Sequence, residues 1–161
     1  MDPMVYVQFI ATLVAATAAI FSFLAVRAIG KQTRASILLG CLDAYIQIRR
    51  HRSEAITAKS QTQCEDYYRE LFDLHWSEYQ LFAASHIPEN VMRAWLDSRW
   101  RNYREDKVEF TNEGGQRLTV TYEDMWNKLL KSGYFTMKDR YVGFMNLAHE
   151  GKIEEALRCR R

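Results

Sequence analysis

The chain has 161 residues, with 22 basic against 20 acidic side chains and a formal net charge of +2. A nucleic-acid binder carries a marked basic excess, so no nucleic-acid partner is expected. Hydrophobic residues make up 48% and aromatic residues 13% of the chain, which is enough for a packed core and too much for disorder.

Residues 4–26 contain no charged side chain. About 20 such residues in a helix cross the hydrocarbon core of a bilayer. The expectation is one transmembrane helix within residues 1–29, followed by a cytoplasmic helical domain over residues 30–161. The start, Met1-Asp2-Pro3, lacks the basic region of a cleavable signal, so the helix is expected to stay as an anchor. Arg27, Lys31 and Arg34 follow the span and only Asp2 precedes it. By the positive-inside rule the N-terminus then faces outward across the inner (plasma) membrane and the rest lies in the cytoplasm.

Within this segment Ala11, Ala15, Ala18, Ser22 and Ala25 recur at spacings of four and three. Small residues let helices approach closely in lipid, so this stripe points to association with itself or another membrane protein. No Asp, Glu, Lys or Arg lies inside the span, which argues against a proton relay.

Beyond Gly30 helical spacing resumes with Ile37, Leu38, Cys41, Leu42, Tyr45, Ile46 and Ile48, a broad apolar stripe on a helix ending near Lys59. A second helix reads from Cys64 to Ala84, with Tyr68, Leu71, Phe72, His75, Tyr79 and Phe82 on one side. Pro88 opens a third, carrying Val91, Met92, Trp95, Leu96, Trp100 and Tyr103. Alternation around Gly114-Gly115 signals a hairpin within 107–121, the alternative being a long surface loop. Thr121 with Asp124 caps a helix through Lys131, which Gly133 ends. Thr136 is expected to cap the next, with Tyr141, Phe144, Met145 and Leu147 inward. Gly151 stops it before a short last helix over 152–159. The fold expected is mainly α with at most a small β-hairpin, and no internal repeat is visible.

Chemistry is sparse. His75 and Glu78 share a helix face, but the order is reversed from a di-iron Glu-x-x-His pair and no second copy exists. His75 is expected in or beside the core, and His86 in a loop. His149 is expected near a helix C-terminus, where a cation is favoured, and His51 in a basic run. Cys41, Cys64 and Cys159 show no zinc spacing and read as structural or incidental thiols. There is no Gly-x-Ser-x-Gly, P-loop or dinucleotide fingerprint. No enzyme, cofactor, catalytic residue or metal ligand is expected.

Two basic segments are candidates for anion binding. Arg49, Arg50 and Arg52 end the first long helix, where clustered arginines suit a headgroup or phosphate. Arg93, Arg99 and Arg101 interleave with Trp95, Trp100 and Tyr103, the combination of charge and stacking that a nucleotide site needs. The simpler reading of both is a solvated face balanced by Glu54, Asp97, Glu105 and Asp106.

The N-terminal span, Gln32-Thr33-Arg34-Ala35, the Tyr68-x-x-Leu71 to Phe82 helix, the Ile87-Pro88 to Trp95 step and Gly133-Tyr134-Phe135 together resemble small bacterial single-pass inner-membrane proteins. Their cytoplasmic helical domain has no assigned function. The resemblance implies a non-enzymatic, membrane-anchored interaction or accessory protein and supplies no catalytic residue. A looser architectural similarity, to membrane effectors of bacterial antiphage defence, implies the alternative: an oligomer gated by an anionic, nucleotide-like ligand.

Overall fold

The structure is a computed structural model describing residues 3–112 and 114–159; the side chains of residues 3–16 and of Ala18 lie outside that description. It is mainly helical. The order is α1 (Pro3–Ala58), α2 (Gln61–Ala83), α3 (Glu89–Glu105), β1 (Lys107–Thr111), β2 (Arg117–Thr121), α4 (Tyr122–Lys131), α5 (Asp139–His149) and α6 (Ile153–Arg158).

The chain divides into two units, Met1–Leu38 and Leu39–Arg161. Helix α1 continues through Gly30, where a domain junction was expected, without a break. Among the described residues no helix is long and apolar enough to cross a membrane. Most side chains of the uncharged run 4–26 lie outside the described residues. In the first unit the described side chains from Ala19 to Ser36 are exposed.

In the second unit, local sequence sets each boundary. Lys59 takes a left-handed φ of 52° after α1, and Ser60 then caps α2 by accepting from the Gln63 amide at 3.3 Å. Pro88 stands just ahead of α3 as its N-cap, and its carbonyl accepts from the Met92 amide at 3.0 Å. The hairpin is real. Val108 pairs with Val120 and Phe110 with Leu118 across an antiparallel ladder, and Gly115 turns the chain at φ 78°. Thr121 caps α4, accepting from the Asp124 amide at 3.0 Å while its hydroxyl donates to the Asp124 carboxylate at 2.7 Å. Thr136 does not cap α5, which begins at Asp139; its hydroxyl instead donates to the Gly133 carbonyl inside the preceding turn.

Helix α3 packs against α4, α5 and α6, while α2 packs against β2 and α4. The core between them is aromatic. Phe72 meets Tyr122 edge-on at 4.8 Å and Trp126 at 5.4 Å, Trp126 meets Phe135 at 4.7 Å, and Tyr79 meets Phe144 at 4.9 Å. Helix α1 departs from expectation. Cys41, Ile48 and Ala55 are buried, but Leu42, Tyr45 and Ile46 are exposed. Only one edge of the broad apolar stripe is used by the bundle.

Candidate functional site

Helix periodicity brings one polar cluster into this core. Along α3, Met92, Leu96 and Arg99 stand four and three apart, so the turn that buries the first two also buries the third. Arg99 is 3% exposed and forms an ion pair with Glu78 of α2, itself 5% exposed. Its other amine faces the Met92 sulfur at 3.7 Å, and Trp95 lies under the guanidinium at 6.0 Å. Burial pushes the Glu78 carboxyl up and Arg99 pulls against it. Cys41 on α1 feels the same pair: burial first and the Glu78 charge second raise its thiol.

One turn before Glu78, His75 Nδ1 lies 3.3 Å from the Tyr122 hydroxyl, which lies 3.4 Å from His149 Nε2. A phenol has one proton to give, so it donates to one imidazole and accepts from the other. Tyr103 stacks on His149 at 4.1 Å between centroids and 12° between planes. His149 Nδ1 is buried without a hydrogen-bond partner. Burial lowers both histidines, with Arg99 adding to the effect, and takes His149 down to about 3. His149 therefore does not act as a cation at the end of α5: its ring is neutral and structural.

The cluster can fix the relation of α2, α3, α4 and α5. Its acid and base are neutralised by each other. Among the described residues no group of three or more His, Cys, Asp or Glu side chains could hold a metal ion. Two open grooves lie elsewhere. One of about 500 Å³ is lined by Phe144, Leu147 and Cys159; the other, of about 390 Å³, by His51, Glu54, Asp66 and Glu70.

The arginines proposed for anions do not converge. Arg52 donates to Asp106 at 3.3 Å and to the Lys107 carbonyl at 2.8 Å, tying α1 to the start of β1. Arg49 interacts electrostatically with the Tyr67 phenol, and Arg50 is exposed. Arg93 pairs with Glu89 at 3.1 Å and with Glu154, and Arg101 lies 3.7 Å from Asp97. Arg99 is in the core. His51 meets Glu70 at 2.6 Å, and His86 sits in the loop ahead of Pro88. Of the small-residue stripe, Ser22 and Ala25 are exposed, while Ala11, Ala15 and Ala18 lie outside the described side chains. The signal for the buried arginine was present in the spacing of α3. The alternation of Arg with Asp and Glu obscured it by making the whole segment look solvated.

No protein-family model, curated protein or solved structure matches the chain.

Proposed function

We propose that this is a non-enzymatic, membrane-anchored interaction protein, with α1 inserted through its uncharged N-terminal part and the Leu39–Arg161 unit held at the cytoplasmic face. One observation carries the reading: Ile20, Phe21, Phe23, Leu24, Val26 and Ile29 are all more than half exposed. Exposed apolar area costs about 25 cal/mol per Å² relative to burial, so a run of this size calls for lipid or a partner helix. The absence of charge from Met4 to Val26 favours lipid, and Arg27, Lys31 and Arg34 set the orientation. The pairing of Arg52, Arg93, Arg99 and Arg101 with carboxylates of the same chain, buried only for Arg99, favours a binding module over a receptor for a phosphate-rich ligand.

The test is the mass of the full-length protein purified gently from its native membrane. The reading expects particles heavier than the 19.0 kDa chain plus detergent, formed with itself or with a larger complex. A lone monomer under every mild detergent condition contradicts an interaction role.

A further inference from the structure

The edge of α1 that the bundle leaves uncovered has a regular pattern. Cys41, Ile48 and Ala55 stand seven apart and are buried. Leu39 and Ile46, also seven apart, are 61% and 43% exposed, with Leu42 between them at 52%. At about 100° of arc per residue, Leu39, Leu42 and Ile46 fall together on a side of α1 well away from Cys41 and Ile48. So α1 has two apolar seams in this unit, and the helical bundle occupies one.

The spacing identifies the occupant of the other. In the sequence, Ala11, Ala18, Ala25, Gln32, Leu39 and Ile46 are each seven apart, and Phe21, Ala28, Ala35 and Leu42 follow Ala18, Ala25, Gln32 and Leu39 by three; the pattern ends at Arg49, three beyond Ile46. This is a heptad with no charged residue at either seam position from Ala18 to Ile46. An apolar repeat of 3.5 residues fits a second helix with the same repeat; a flat or globular surface would not require it. Arg27 and Arg34 recur at that same seven-residue interval but at a position off the seam. One polar residue, Gln32, stands in the ladder, where an uncharged polar pair fixes register.

We propose that the Leu39–Leu42–Ile46 face is the docking surface for a second copy of this chain, the two α1 helices packing parallel and in register. The parallel sense rests on the membrane reading, because two anchors inserted the same way present their helices the same way. Leu39 meets its own counterpart, as does Ile46, and the bundles lie outward on the opposite seams.

The test uses disulfide crosslinking through one introduced cysteine in the full-length protein in native membranes, in a Cys159→Ser background so that the other thiols are the buried Cys41 and Cys64. Leu39→Cys and Ile46→Cys are compared with Gln47→Cys, about 100° round the helix from the seam. Oxidation should give a disulfide dimer for Leu39→Cys and Ile46→Cys and none for Gln47→Cys. Leu42→Glu should abolish the dimer in both. Absence of dimer at positions 39 and 46, or equal dimer at all three, overturns the proposal. Flotation of the same membranes reads the anchor separately: chains that float but do not crosslink refute the helix pair alone, and chains that do not float refute the membrane reading.

Discussion

Single residues carry unequal weight here. Glu78 and Arg99 are desolvated together, so each requires the other. Removing one partner of a buried pair strands the other charge and costs about 3–5 kcal/mol. Arg99→Met should therefore lower the denaturation midpoint of the full-length protein sharply, while Arg101→Met, at an exposed pair, should change it little. Equal effects in urea titrations would count against a structural role for Arg99. The histidines add a pH dependence. His75 and His149 sit below their ordinary value of 6.5 in the folded chain, so the unfolded chain takes up protons first as pH falls. Stability from these rings is present above 6.5 and is lost as pH drops below it, for His149 toward about 3. Glu78 acts with the opposite sign, because burial raises it. His149→Phe should flatten the stability curve just below pH 6.5, read as urea midpoints across that interval. A slope unchanged by the substitution would mean that His149 is not the group that titrates.

At the scale of elements, caps and turns were legible because their chemistry is local. Thr121 with Asp124, Gly115 and Gly151 announce a helix start, a hairpin and a helix stop within a few residues. Thr121→Ala should cost about 1 kcal/mol of stability through loss of the α4 cap, measured by chemical denaturation. Gly151 combines two demands: its φ is 79°, and an added Cβ would lie 3.1 Å from Trp100 Nε1. Gly151→Ala should therefore destabilise the α5–α6 turn more than Gly143→Ala, which meets open space in mid-helix, and thermal melts of the two variants compare them directly. The start of α5 was misread because Thr136 bonds backward to Gly133, an alternative open to any short hydroxyl side chain. The two seams of α1 were not separable in sequence. Periodicity reports that residues are apolar and share a face, but which face meets the bundle is decided by tertiary packing, which spacing within α1 does not report. The same limit hid the His75–Tyr122–His149 chain, since those residues come from three helices and only tertiary packing aligns them.

For the whole molecule, the proposed account joins a helix rich in exposed apolar residues to a bundle whose buried Arg99 and Glu78 are paired with each other. The bundle offers an aromatic core and arginines paired within the chain, which suits the proposed interaction role. Its central claim is that α1 is embedded in a bilayer. The most direct measurement is flotation of native membranes on a density gradient after alkaline carbonate treatment, which strips peripheral proteins and leaves embedded ones. The account predicts that the full-length chain rises with the lipid, and that replacing Leu13 and Ile20 by Arg releases it, since each charge near the bilayer centre costs about 2.5–3.5 kcal/mol. Recovery of the unaltered chain in the soluble carbonate fraction would contradict it.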